Sequence, residues 1–513
     1  MNNQTAKLAR MKTLWLLLPI SILLAFTWFY FVRSALPFFA YFADPEVAYI
    51  FSALQLNEMG YVQMTDHPGT FLQIVGAGLG RLLSFDFKQA FVLDAYNQFR
   101  SAWLIFTLLA VAFALLQFWK LLGWSVCAFL IASLLLVHDY NTLMHFGRFT
   151  PEGGFLALYL VVAVLACGSI AGAKELSFAR ALSWGALLGA VTTIKITLWP
   201  VTAFLIGAFF CLRSEAKMPR QLLAGALMLA TALVAYFVVG SAFADDAADQ
   251  MAWFKRLLTE SGRYGKPNPE GSFLPFAQIL SFTIQGFSFQ SFTTLFPIAA
   301  LSGFALWKLI RSQSTPLRLL SLGFLLCLAL SFLIYAKHPY QIKYLLPQTY
   351  LLLAYFVIVG SYFRDELPQA KILRAVALVL AMVAVNAFLN FHIVYGFNQN
   401  RYAAIKQEVN RIMQAQAVDN FYFSLEVPHK LTAYGLGVRE ITDLRPLFEQ
   451  TAPSLTVFRE RNADYSISIA GSLPLETIAP SSLIFTQRYF KDARAVLIYY
   501  DENLSLFAYL KEE

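Results

Sequence analysis

The chain has 513 residues, 58% of them hydrophobic and 14% charged, against roughly 25% charged residues in soluble domains. Its net charge of +8 is spread between apolar runs rather than gathered into a patch, which excludes a nucleic-acid-binding protein and marks a polytopic membrane protein. Cys127, Cys167, Cys211 and Cys327 all lie inside apolar runs, so neither a disulfide framework nor a zinc site is expected.

The first apolar run, 14–32, lacks a small-residue cleavage site and predicts a retained helix rather than a signal peptide. Just beyond it, Tyr41-Phe-Ala-Asp44-Pro-Glu46-Val-Ala-Tyr49 places two carboxylates near the outer end of that helix. Acids there are costly against lipid, and they are groups with which a membrane enzyme binds a metal or takes a proton. Asp before Pro is equally a turn and helix-start signal, and Glu46 suits the first turn of a following helix. The segment 70–85 is apolar but short, Gly-rich and interrupted by Arg81, and predicts a helix lying in the interface.

Further spans are predicted at 101–119, 121–137, 153–173, 181–194, 196–212, 221–242, 291–307, 319–336, 344–363 and 375–391, about eleven with the first. Lys7, Arg10, Lys12, Lys120, Lys174, Arg180, Arg213, Lys217, Arg220, Lys308, Arg311, Arg318, Lys371 and Arg374 then fall on the cytoplasmic side, with the N-terminus inside and the C-terminus outside. The uncharged stretch 273–307 is assigned one span plus an interfacial or re-entrant piece. The fold class expected is an α-helical polytopic membrane protein over 1–394, with a long first outer loop at 33–100 and a small α/β domain at 395–513 on the outer face. Within that domain, 401–416 reads as an amphipathic helix. Ala495–Tyr500 and Leu504–Tyr509 read as a hairpin turning at Asp501-Glu-Asn.

This topology collects the unusual polar residues on one side. The first outer loop carries Asp44, Glu46, Glu58, Asp66 and His67. The second carries His138, Asp139, His145, Arg148 and Glu152; Lys195 sits at the third turn. Asp245, Asp246, Asp249, Arg263 and Lys266 follow, then Lys337, His338, Lys343 and Tyr344. Cations of this kind hold phosphate, and a carboxylate accepts a proton. Each residue also has a plainer reading: a solvated loop for His67, a local ion pair or helix start for Arg148 and Glu152, interface anchors for Lys337, His338 and Lys343. Lys195 interrupts two apolar runs, where snorkelling to the interface and phosphate binding both fit.

Taken in order, these residues resemble the C-type superfamily of membrane glycosyltransferases (GT-C), in particular protein O-mannosyltransferases and lipid A aminoarabinose transferases. Asp44-Pro-Glu46 is similar to that family's acidic pair in a long first outer loop. His67-Pro-Gly69 is similar to its Lys/His-Pro-Pro start of an interfacial helix, departing at the second proline. Arg148 through Glu152 resembles its second-loop element. Gly185-Ala-Leu-Leu-Gly-Ala-Val-Thr-Thr-Ile-Lys195 resembles its Gly-rich helix ending in a phosphate-contacting Lys, and Lys343-Tyr-Leu-Leu-Pro347 its late basic-Tyr-X-X-Pro entry. The resemblance covers roughly residues 14–394.

It implies an enzyme that transfers a sugar, with inversion, from a polyprenyl-phosphate donor to an acceptor hydroxyl on a glycan, glycolipid or protein. Asp44 would be the general base and Glu46 would orient the acceptor or a divalent cation (Mg, Mn or Zn) with His67 and Glu152 as co-ligands. Lys195, Arg148, Lys343, Tyr344, Lys337 and His338 would hold the donor phosphate. A bacterial inner membrane is the expected location. Two other classes share the composition. A transporter or flippase would place ionisable residues in mid-span, with broken helices and repeats. An O-antigen polymerase or ligase would rely on basic residues in large later loops.

Overall fold

The computed structural model describes residues 43–62, 69–86, 93–123, 125–172, 177–212, 218–244, 248, 252, 255, 289–337 and 345–416. Towards the C-terminus it describes 421–424, 455–460, 467–469, 482–486, 495–501 and 506–511. Helices dominate: α1 Ala43–Met59, α2 Thr70–Leu82, α3 Leu93–Leu122, α4 Val126–Val137, the short α5 Tyr140–His145, α6 Pro151–Gly172 and α7 Phe178–Thr192. They continue with α8 Ile196–Cys211, α9 Met218–Ser241, α10 Phe289–Arg311, α11 Thr315–Lys337, α12 Leu346–Tyr362 and α13 Ala370–Ala415. Every span predicted from 101–119 onward coincides with one of these helices; 14–32 and 273–288 lie outside the described residues.

Among the described residues, five helices are long and apolar enough to cross a bilayer: Gln98–Leu122, Pro151–Gly172, Pro219–Ser241, Thr315–Tyr335 and Ala370–Leu389. They are not equivalent. The apolar window of α6 is 72% buried inside the protein, that of α9 only 22%. On α9, α11 and α13 large apolar side chains such as Leu223, Val234, Leu326, Leu333, Leu378 and Met382 are exposed. Such a surface is a liability in water and a necessity in lipid. The protein is an integral membrane protein with α6 and α12 in its core; α12 is buried from Leu346 to Gly360.

The described residues fall into two compact units. One holds the described residues within 69–72 and 103–391, the other those within 43–62, 73–102 and 392–511. In the first, α7 and α9 meet backbone to backbone. A Cβ on Gly185 would stand 2.4 Å from the Met228 carbonyl oxygen, and one on Gly189 would stand 2.0 Å from that of Ala232. Four-residue spacing of glycines lets two backbones touch within a membrane. The Gly-rich run before Lys195 is therefore a helix-packing device.

In the second unit, α1 and α2 are stitched by Gln73 to Ser52 (2.9 Å) and by the Asn57 amide to the Ala77 carbonyl (3.0 Å). Helix α2 has 13 residues, about 20 Å at 1.5 Å per residue, too short to cross the bilayer alone.

The C-terminal strands are β1 Phe421–Ser424, β2 Leu455–Glu460, β3 Ile467–Ile469, β4 Leu483–Thr486, β5 Ala495–Asp501 and β6 Leu506–Lys511. They form one mixed sheet in the order β3-β2-β1-β4-β6-β5. The expected hairpin is there: β5 and β6 pair antiparallel from Ala495↔Lys511 to Asp501↔Leu506. The helix expected at 401–416 is not separate but the end of α13, a single helix of 46 residues. Lacking Gly and Pro between 397 and 415, the chain has no local reason to stop. Ile405, Val409 and Ile412 are buried along it, the i, i+4, i+7 stripe of a helix packing on one side. Arg411 lies over the Tyr499 ring of β5 at 5.5 Å.

Candidate functional site

Among the described residues of the first unit, the turn between α4 and α6 gathers the largest run of buried polar side chains. His138, Asp139, Thr142, His145, Arg148, Thr150 and Glu152 are all at most 2% exposed. Its geometry is locally dictated. Gly147 turns the chain at φ +70°, which favours glycine. Thr150 caps α6, its hydroxyl accepting from the Gly153 amide at 3.1 Å while standing 3.3 Å from His145 Nδ1. Pro151 occupies the first helical turn, where its missing N–H costs nothing. Gly153 is required by contact: a Cβ there would meet the Arg148 carbonyl oxygen at 2.0 Å. The Trp103 indole donates to that same carbonyl at 2.7 Å, with the Phe149 ring edge-on to it at 5.0 Å. Arg148 is thus fixed at its backbone and buried at its side chain.

Glu152, in the first turn of α6, accepts from the Lys195 ammonium at 2.5 Å. The two side chains are 2% and 17% exposed. Lys195 follows the end of α7, where Thr193, Ile194 and Lys195 close successive turns onto Ala190, Val191 and Thr192. The start of α2 is tied to the same turn, the Phe71 amide donating to the Thr193 hydroxyl at 3.2 Å. The Lys195 charge is directed at a protein carboxylate. An ammonium carries three donors, so a carboxylate and a phosphate oxygen can share it.

In the second unit Asp44 stands in the first turn of α1, two residues before Glu46. Glu46 is fully buried and accepts from the Arg100 guanidinium at 3.0 Å; Arg100 is itself 4% exposed. Glu46 is held in a buried ion pair in the first turn of α1, the turn that also contains residue 44. Sequence reasoning missed Arg100. The available signal was an arginine at the edge of the apolar run 101–119.

The structure brings Arg148, Glu152 and Lys195 into one unit. His67, His338, Lys343 and Tyr344 lie outside the described residues, and Lys337 is the last residue of α11. A metal held by Glu46, His67 and Glu152 was expected as an option. Glu46 and Glu152 each accept from a cationic side chain, and among the described residues no group of three His, Cys, Asp or Glu is placed to hold a metal ion. His67, the third expected ligand, lies outside the described residues, and no reaction step is assigned to a metal.

His138, noted in sequence only as a loop histidine, ends α4 in helical conformation. Its Nδ1 lies 2.8 Å from the Leu135 carbonyl, which only accepts, so Nδ1 carries the proton. Burial lowers the ring's pKa from its ordinary value, with the Asp139 charge opposing in part. In the neutral ring that burial favours, Nε2 is the acceptor.

Among solved structures, the chain is similar to ArnT from Cupriavidus metallidurans bound to undecaprenyl phosphate. The match covers 97% of this chain and 98% of that one, with a TM-score of 0.51 and 12% sequence identity. No family model matches the sequence, and no curated protein does. The fold is thus of the kind expected from the GT-C resemblance, a helical membrane body with a small C-terminal strand region.

Proposed function

We propose that the protein is an integral membrane glycosyltransferase that takes a sugar from a polyprenyl-phosphate donor and places it on an acceptor hydroxyl. The observation that carries the reading is the likeness to ArnT over nearly the whole of both chains. The solved relative holds undecaprenyl phosphate, which supports a lipid phosphate as the common element of the substrate.

The chemistry is a displacement at the anomeric carbon. The acceptor oxygen attacks, the bond to the phosphate oxygen breaks, and the polyprenyl phosphate departs with the electron pair on the face opposite to attack. Asp44 takes the acceptor proton as general base. Lys195 neutralises the departing phosphate, where negative charge grows in the transition state, with Arg148, Lys343, Tyr344, Lys337 and His338 as further phosphate contacts. Glu46 serves through its Arg100 ion pair, holding the turn that carries Asp44. A divalent cation with Glu46, His67 and Glu152 as ligands remains a proposal, read by chelator sensitivity. The bacterial inner membrane is the proposed location, with the N-terminus cytoplasmic and transfer on the outer face. The acceptor is a glycan, a glycolipid or a protein.

The test is purified protein offered a panel of polyprenyl monophosphates carrying single sugars, beside a polyprenyl diphosphate carrying an oligosaccharide. Release of polyprenyl monophosphate with glycosylated acceptor is expected. Turnover of the diphosphate-linked oligosaccharide alone would move the protein to the polymerase or ligase class.

A further inference from the structure

Lys195 stands at the apex of a hairpin. Helix α7 ends at Thr192, α8 begins at Ile196, and the Lys195 amide donates to the Thr192 carbonyl at 3.1 Å. Behind that apex three buried hydroxyls run in a line across three helices. The Tyr159 hydroxyl of α6 lies 2.9 Å from Thr202 Oγ1 of α8. Thr202 Oγ1 lies 2.7 Å from Thr192 Oγ1 of α7, which in turn stands 2.6 Å from the Leu188 carbonyl oxygen. All three side chains are fully buried.

The direction of the line follows from its hydrogens. A carbonyl only accepts, so the Thr192 hydroxyl directs its single hydrogen at Leu188. Thr202 must then donate to Thr192, and Tyr159 to Thr202. A buried polar chain satisfied in this way rigidifies its surroundings and specifies one arrangement.

The two ends of the line are the two sides of the ion pair. Thr192 holds the Lys195 amide at its carbonyl. Tyr159 shares α6 with Glu152, which accepts from the Lys195 ammonium. The circuit Tyr159–Thr202–Thr192–Lys195–Glu152 therefore closes on α6. Between Glu152 and the body of that helix, Phe155–Tyr159 form a buried π-turn, the Leu160 amide donating to the Phe155 carbonyl. Such a turn is one residue wider than an α-turn, so it sets the rotation of the Glu152 turn against the rest of α6. Tyr159 ends the π-turn, its ring edge-on to Tyr350 of α12 at 6.1 Å.

We propose that Tyr159, Thr202 and Thr192 are positioning residues for Lys195. Their one-way hydrogen-bonded line fixes the hairpin apex against α6, and so fixes where the ammonium stands between Glu152 and the phosphate of the donor. This rests on the reading that Lys195 meets a lipid phosphate and adds what places it there. Placement matters because about 1 Å of displacement costs on the order of 100-fold in a positioned reaction.

The test is equilibrium binding of undecaprenyl phosphate and of uncharged undecaprenol to the purified protein. The variants are Lys195→Ala, Thr202→Val, Thr202→Ser, Tyr159→Phe, and Lys195→Ala combined with Thr202→Val or with Tyr159→Phe. Wild type should bind the phosphate more tightly than the alcohol, and Lys195→Ala should lose about tenfold or more of its affinity for the phosphate. Thr202→Val and Tyr159→Phe should each lose about three- to tenfold for undecaprenyl phosphate, the worth of one hydrogen bond, and none for undecaprenol. Thr202→Ser keeps the hydroxyl and should recover most of the loss. Neither chain variant should add a loss in the Lys195→Ala background. Tyr159→Phe deletes a single oxygen at the end of the line, and carries the test by itself where Thr202→Val does not fold. Equal losses for both lipids, or the same loss with and without Lys195, would make the hydroxyls merely structural. Wild-type affinities in both chain variants would make the line dispensable. Each of these results overturns the proposal, while the wild-type preference for the phosphate keeps the donor class standing. A wild type that binds both lipids alike would overturn the donor reading and this proposal with it.

Discussion

At the scale of single residues, the first-loop acid Glu46 has a structural partner. Glu46 and Arg100 form a buried ion pair across 54 positions of sequence, and removing one partner of such a pair costs about 3–5 kcal/mol. Arg100→Met should therefore lower the melting temperature in detergent markedly, while the double variant Arg100→Met with Glu46→Met should recover much of the loss. A double variant as unstable as the single one would show that the charge pair is not what Arg100 supplies. Lys195 makes the complementary case. Lys195→Ala should reduce donor turnover about 100-fold or more if its ammonium stabilises the leaving phosphate. Donor kinetics equal to wild type would leave it a structural partner of Glu152. The composition of the motif was legible in sequence; the partner of Glu46 was not, because Arg100 lies 54 positions away and carries no spacing signal that points to it.

At the scale of elements, apolar length made the helices legible from 101–119 onward, and alternation made the β5–β6 hairpin legible. What resisted was continuity. The run 375–391 and the amphipathic 401–416 are one helix, since a change from all-apolar to one-sided pattern alters the surroundings of a helix without ending it. The glycines before Lys195 were read only as the Gly-rich helix that the lysine follows; their positions are set by helix packing. Gly189→Ala should drive a methyl into the Ala232 backbone and destabilise by about 1–3 kcal/mol, as overpacking does. Gly207→Ala, with open space around it, should be neutral or stabilising by up to about 1 kcal/mol. Thermal melts of the two variants side by side check the pair. At the start of α6, Thr150→Ala should cost about 1 kcal/mol by loss of the cap.

At the scale of the whole molecule, burial sorts the helices by role. Those with outward Leu, Val and Met face lipid. Helix α6, the most buried of the five long apolar helices, carries Glu152 in its first turn, and α12 carries Tyr350. Charged and polar groups survive at such depth only when paired or used, which is why the polar turn 138–152 reads as function rather than decoration. The central claim is glycosyl transfer with Asp44 as base, and sugar transfer measured side by side for wild type and Asp44→Asn tests it most directly. The substitution removes basicity and almost no volume. The account predicts a folded variant whose turnover falls by about 100- to 10,000-fold, the usual worth of a general base. A folded Asp44→Asn protein that transfers sugar at near the wild-type rate would contradict it.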